Sequence, residues 1–471
     1  MNFIESLQTK DQVTQNGMPT NSTSLNRCVD LFFSIGAMRG QDNQKILNKF
    51  IKAFEENRTI ALRIVFWCRD VRGGAGERNI FRIIWSWLCI NHPEIVNNNL
   101  SNVDFLGRWD DHFCGLGTES EKAIIERLKV AIIEDKNQLA AKWMPRKGKI
   151  ANILRKKFGL SPKEYRKLLV ENTNVVESKM CANDWTNIEY DKLPSLAISR
   201  NKNAFKKHDS EGFSNYVSLL EKGEKKINAS AVYPYDIIKS MLMGEENHKI
   251  CEQQWNTLPN YMEDCYDYVL PVVDVSGSMH RPIGGNKNLT AIAVAVSLGL
   301  YISQRNIGQF KDYFMTFSEV PELVHTSGTL HQRFKQMSSS NWGMNTNLIR
   351  MFDTILKHAR TNNVKACDMP TKIIIFSDME FDECIKNPKN SAIESIRQTY
   401  EEYNYTLPKI VFWNILSSGN NVPVRYDEHG TALVSGFSPS ILKSLLNMKI
   451  SNPYAVMMDT INNVRYSEIF A

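Results

Sequence analysis

The sequence contains no CxxC pair, no HExxH and no GxxxxGK[ST]. The first two absences exclude the usual zinc-site spacings, and the third excludes a Walker-type phosphate loop. The nine cysteines are scattered and odd in number. That suits reduced thiols in a cytosol-like compartment and excludes a disulfide framework. The nine histidines are equally dispersed, so no metal cluster or Ser-His-Asp hydrolase is suggested; His112, His208 and His331 read as surface or structural. Long apolar runs are missing too. IIWSWLCI at 83–90 and AIAVAVSLGLYI at 291–302 are too short to cross a bilayer. The opening MNFIESLQTK is polar and mixed, unlike a secretory leader. The expectation is a cytoplasmic protein, cellular or in a virus-infected host, with no membrane partner.

What is present is ordinary in bulk: 471 residues, 42% apolar and 23% charged. Such a length exceeds one simple core and predicts two or three domains. The net charge of +6 is unevenly placed, because 16 Lys/Arg face 6 Asp/Glu between Lys142 and Lys207. The rest of the chain is therefore net negative. A basic block of this kind reads either as a surface for RNA or another polyanion, or as a solvated helical face.

Residues 1–22, with Gly17 and Pro19, read as a flexible tail. From 23 to 266 the period is helical. Ile124, Leu128, Ala131 and Ile132 fall at i, i+4, i+7 and i+8, on one face of a helix. Similar faces recur at 25–35, 45–54, 59–68, 81–90, 164–170, 212–220 and 235–243. A HEAT-like stack or curved bundle would bury so many single faces. From 267 to 471 short apolar runs alternate with helices: YVLPVVDV, YFMTF, KIIIFSD, KIVFWNI and TALVSGF. The expected fold class is thus α plus α/β, a helical region followed by a doubly wound, mostly parallel sheet. Pro271 inside the first run cannot donate to a ladder, so regular pairing is expected only after it.

PVVDVSGSM at 271–279 is where an apolar strand gives way to Asp274, Ser276 and Ser278. One carboxylate and two hydroxyls on a tight loop supply part of the oxygen shell of a hard divalent cation such as Mg²⁺. They could instead cap the helix that starts near Asn288. Further ligands should come from neighbouring strand ends. Thr346 in NWGMNTNL and Asp378 at the end of IIIFSD are the candidates, with Ser338, Ser339, Ser340 and Asn345 as possible substitutes for Thr346. An aspartate ending a first parallel strand also suits a phosphatase of the haloacid dehalogenase kind, but Ser276 stands where that chemistry needs a second Asp as general acid. RGGAGER at 72–78 reads as a glycine turn between helices, or as arginines facing a phosphate backbone. Trp143 reads as core or as a base-stacking ring.

The set Asp274, Ser276, Ser278, Thr346 and Asp378 resembles the metal-ion-dependent adhesion site of von Willebrand factor type A domains. The resemblance implies a Mg²⁺ (or another divalent cation) at the top of the sheet, with an open position that accepts a partner's carboxylate. RDVRGGAGERNIF, AAKWMPRKGKIANILRKKFGLSPKEYRKLL, PSLAISRNKNAFKKHD, FSDMEFD, FWN and NPYAVMM together resemble an uncharacterised family, from cells and large DNA viruses, that joins a helical region to a von Willebrand A-like domain. That layout is in turn similar to the TROVE proteins, the Ro ribonucleoprotein autoantigens, which bind RNA. The resemblance implies a non-catalytic binding protein. RNA would lie on Arg146, Lys147, Lys149, Arg155, Lys156, Lys157, Arg166, Lys167, Arg200, Lys202, Lys206 and Lys207. The alternative is a protein–protein scaffold whose metal site captures an acidic partner residue.

Overall fold

The computed structural model describes residues 12–227, 232–244, 248–284, 286–317, 320–339, 346–382, 392–417, 419, 421–446 and 450–471. The first half is helical: α1 (Arg27–Ile35), α2 (Asn43–Glu56), α3 (Arg58–Arg69), α4 (Arg78–Asn91), α5 (Glu121–Lys129), α6 (Lys149–Lys157), α7 (Pro162–Glu171), α8 (Ser195–His208), α9 (Ser210–Glu221), α10 (Pro234–Leu242) and α11 (His248–Asn256), with shorter turns between them. The local chemistry explains the boundaries. Asp42 starts α2 by accepting from the N–H groups of Gln44 and Lys45. Ser161 and Glu164 form a capping box ahead of α7, with Pro162 in its first turn. In α2, Ile46, Phe50, Ala53 and Phe54 form the buried stripe. The face expected at 124–132 is buried as its spacing predicts, although α5 passes into a π-helical turn over Val130–Glu134.

The second half builds the sheet: β1 (Val269–Asp274), α12 (Ala291–Arg305), β2 (Tyr313–Phe317), β3 (Leu323–His325), α13 (Leu330–Ser338), α14 (Leu348–Thr361), β4 (Lys372–Ser377), α15 (Ala392–Glu402), β5 (Lys409–Asn414), β6 (Thr431–Ser435), α16 (Ile441–Leu446) and α17 (Pro453–Ile461). The six strands run in the order β6-β5-β4-β1-β2-β3. Five are parallel and β3 is an antiparallel edge. β1 and β4 are buried along their whole length, which is why they read as unbroken apolar runs. Pairing with β4 begins at Val269 and passes through Pro271, whereas pairing with β2 begins only at Val272. The proline delays one ladder and not the other.

Helices and sheet share one apolar core, which runs from Met18 to Ile469 and includes Phe32, Trp67 and Trp85 beside Ile374 and Phe412. Each large side chain so buried contributes roughly 1.5–3 kcal/mol. A second, smaller core joins Val176, Ile198, Phe205, Phe213, Tyr216, Leu220 and Ile250. The chain thus crosses from helices to sheet near Tyr266 without leaving the main core. Ser435 of β6 donates its hydroxyl to Phe32 O (2.8 Å) and accepts from Gly36 N (2.9 Å). A Cβ on Gly36 would lie 2.5 Å from Ser435 O, so no larger residue fits this close approach. Farther on, Asp70 accepts from Arg465 (2.8 and 3.0 Å) and from Tyr466 Oη (3.1 Å). Asn99 and Asn102 hold the backbone of Phe470 and Glu468.

RGGAGER is a turn between α3 and α4. Gly76 has φ +72°, and a Cβ on Gly74 would sit 1.9 Å from Trp67 O. Glu77 of the turn pairs with Arg39, and Asp70, just before it, with Arg465. Just before it, fully buried Arg69 meets Asp111 at 2.7 Å, and Arg82 reaches the other oxygen of Asp111 at 2.6 Å.

The segment from Gln12 to Ser22, read as tail, is bound rather than loose; residues 1–11 lie outside the described residues. Gln12–Val13 pairs with Pro19–Thr20 as a small hairpin, and Asn21 bridges to Val422. These contacts are polar and long-range, so they leave no periodic trace in the sequence.

Candidate functional site

The chain leaves β1 toward β2 on one side and returns to β4 on the other, so the carboxyl ends of β1 and β4 flank a topological switch point. Open α/β sheets present their crevice there. Asp274 ends β1 and Asp378 follows β4 directly.

The geometry is built by two short turns. Asp274 Oδ1 accepts from Ser276 N (2.9 Å), which folds the loop back so that the Ser276 and Ser278 hydroxyls lie 3.0 Å apart. Asp274 Oδ2 accepts from Ser377 Oγ (2.5 Å), locking the β1 end to the β4 end. On the β4 side, Asp378 Oδ1 accepts from Glu380 N (3.2 Å). Between them buried Met379 holds φ +64°, a left-handed conformation that costs a non-glycine residue on the order of 1 kcal/mol. Among the described residues, buried Asp378 Oδ2 has no hydrogen-bond partner.

Asp274, Ser276, Ser278 and Asp378 therefore come together, with Ser278 close enough to Asp378 to favour its anion. Thr346 is fully buried against the same loop. Its hydroxyl donates to Glu380 O (3.1 Å), its backbone N–H donates to the Asp382 carboxylate, and its carbonyl accepts from Asp382 N (3.0 Å). Of its possible substitutes, Ser338 and Ser339 donate to their own helix, while Ser340 and Asn345 lie outside the described residues. Asp274, Ser276 and Ser278 do not cap α12; Thr290 does that.

The electrostatics of the cluster are those of crowded carboxylates. Burial raises Asp274 above the usual carboxylate range, and nearby Asp382 adds to the effect. Burial, and then the charge of Asp274, push Asp378 up to about 7. A hard cation would relieve both effects, and its ligands here would be oxygens only. The oxygens gathered here are those of two carboxylates and two serine hydroxyls.

Sequence reasoning missed Ser377, Glu380 and Asp382. The acids at 378, 380 and 382 recur at every second residue directly after a strand, and that alternation was the available signal. Glu380 is also where the N-terminal hairpin attaches. Its Oε2 accepts from Gln15 N (2.8 Å), its carbonyl accepts from Asn16 Nδ2 (2.8 Å), and Thr14 Oγ1 donates to Phe381 O (2.5 Å). Arg281, three residues past Ser278, donates to Gln15 Oε1 (3.2 Å).

The basic residues divide between two packing units. Arg146, Lys147, Lys149, Lys156, Lys157, Arg166 and Lys167 are exposed on and before α6 and α7, with Arg155 half-buried. Lys157 pairs with Glu121 and Lys167 with Glu171. Arg200, Lys206 and Lys207, with half-buried Lys202, lie on α8, which packs in the second core. Trp143 is half-buried with the Arg108 guanidinium 3.6 Å from its ring centre. No helix among the described residues is long and apolar enough to cross a membrane.

Two families match the chain. One described as a domain of unknown function, DUF2828, matches residues 14–106 and 122–265, and another, DUF7788, matches residues 269–465. An uncharacterized protein, L728, of Acanthamoeba polyphaga mimivirus is 27% identical over 514 residues, covering 97% of this chain and 88% of its own length.

Proposed function

We propose, from the premise that the chain belongs to the DUF2828 family of unknown function, that it is a non-catalytic binding protein with a divalent-cation site at the carboxyl ends of β1 and β4. The observation that carries this reading is the buried Asp378 Oδ2, without a hydrogen-bond partner among the described residues, beside Asp274 and the paired serine hydroxyls. Asp274, Ser276, Ser278 and Asp378 would hold the ion, with Thr346 contributing from the facing loop. The resemblance to a von Willebrand A adhesion site makes Mg²⁺ the first candidate. Bound there, the ion would offer a partner carboxylate an open coordination position. Ser276 stands where a phosphatase would need its acid, so the reading is binding and not turnover.

Calorimetric titration of Mg²⁺ tests it. Wild type should bind with a submillimolar Kd, Ser276→Ala at least tenfold more weakly, and Asp274→Ala not measurably. If Asp274→Ala bound Mg²⁺ like the wild type, the site would lie elsewhere.

A second reading, RNA or another polyanion on α6 and α7, is supported by the run of exposed cations from Arg146 to Lys167, only two of which have an acidic partner at ion-pair distance among the described residues. Filter retention of a structured RNA should fall steeply with salt. Replacing Arg146, Lys147 and Lys149 together by Ala should reduce the slope of log K against log[salt] by roughly 2–3, at about 0.7–0.9 per lost phosphate contact. An unchanged slope counts against this surface.

A further inference from the structure

A cavity of about 1010 Å³ shares no lining residue with the carboxylate cluster. It lies where the Asp70–Arg72 turn, the stretch 104–109 and the segment 464–470 meet. We propose that this cavity binds a nucleotide, an aromatic base joined to phosphate.

Its walls alternate planar cations with aromatic rings. Arg108 lies 3.6 Å from the centre of Trp143, Arg127 5.6 Å from Trp109, and Arg465 5.4 Å from Phe105. Each of these guanidiniums is fixed by a carboxylate through two bonds: Arg108 by Asp110, Arg127 by Asp104, Arg465 by Asp70. In each case Nε and Nη2 serve that carboxylate, so among the described residues the Nη1 edge of Arg108 and of Arg127 is held in a fixed orientation without a hydrogen-bond partner, while Arg465 also contacts Tyr466. Arg72, the first residue of the RGGAGER turn, lines the same cavity and is exposed; among the described residues its guanidinium has no ion-pair partner. Guanidinium forks of this kind match phosphate oxygens. Phe105 and Phe470 are each 54% exposed at the wall and offer flat apolar rings to a ligand there. Cation and ring together select a ligand with both a planar face and an anion. The volume is that of a small-molecule site.

The chemistry is common to a free nucleotide and to one unit of a single strand, and calorimetry on the full chain separates them. AMP, adenosine, ribose 5-phosphate and a single-stranded RNA hexanucleotide are titrated in parallel. AMP should bind at least tenfold more tightly than adenosine or ribose 5-phosphate. Arg72→Ala and Phe105→Ala, both exposed positions, should each weaken AMP about tenfold, while the Arg146/Lys147/Lys149 variant should bind AMP unchanged, so this site stands or falls apart from the polyanion surface. Binding of the hexanucleotide but not AMP, with the same loss in Arg72→Ala and Phe105→Ala, would support the site and identify a strand as the source. No binding of either, equal binding of ribose 5-phosphate and AMP, or wild-type affinity in both single variants would overturn the proposal.

Discussion

Asp378→Asn should stabilise the metal-free protein near pH 8 and remove the stabilisation that Mg²⁺ gives the wild type. Asp378 would titrate near 3.8 in the unfolded chain, whereas burial and the neighbouring Asp274 push it to about 7 in the fold. Between those values the folded state keeps a proton that the unfolded state releases, so stability falls as pH rises from about 4 to about 7 and then levels off. The accumulated cost is on the order of a few kcal/mol. Asparagine carries no charge and should flatten that slope. Magnesium should act in the opposite sense to pH, because it compensates the two carboxylates once they are ionised. At a hundredfold excess over Kd it should add about 2.7 kcal/mol to the wild type. Thermal melts from pH 4 to 8, with and without Mg²⁺, measure both effects. A wild type whose stability rises across that range, or a variant still stabilised by Mg²⁺, would contradict the cation reading.

The second large effect is expected far from that cluster. Asp111→Ala should destabilise the fold by about 3–5 kcal/mol, the usual cost of leaving a buried charge without its partner. Asp111 is fully buried and accepts from Arg69 Nε, Arg82 Nε and Arg108 N at 2.6–2.9 Å. Arg82 and Arg108 keep Asp110, but Arg69, 1% exposed, has no other carboxylate at ion-pair distance among the described residues. The midpoint of thermal unfolding should drop by roughly 3–5 °C, given the large unfolding entropy of a 471-residue chain. The double variant Arg69→Met/Asp111→Leu should recover most of the loss, because two apolar side chains need no partner. If the double variant melts no higher than Asp111→Ala, the damage comes from packing and not from the stranded charge.

The strands were legible because a sheet covered on both faces writes itself as unbroken apolar runs, and each of the five parallel strands coincides with one. Edge strand β3 was not, since Leu323 and His325 are exposed and its pairing is with β2 alone. Helices such as α2 and α5 were legible from their stripes. Which stripes would pack together was not, so the separate core around Phe205 and Phe213 gave no signal. In the cluster, Asp274, Ser276 and Ser278 stood out because polar residues interrupt an apolar run. Glu380 and Asp382 looked like ordinary surface acids, and only the chain's path around the switch point brings them inside. The hairpin at 12–20 escaped because its attachments are single hydrogen bonds to residues hundreds of positions away.

Those distant attachments govern how the protein can reach its folded state. Phe32 and Gly36 rest on Ser435, and Asp70 waits for Arg465 and Tyr466. The early helices pack on one another, but the part of their surface that rests on Ser435 and Arg465 is covered only once residues some 400 positions later have been made. Contacts of such separation slow folding and lengthen the interval in which partly formed chains can aggregate. Poor recovery after dilution from denaturant, improved by added chaperone, is the expected result.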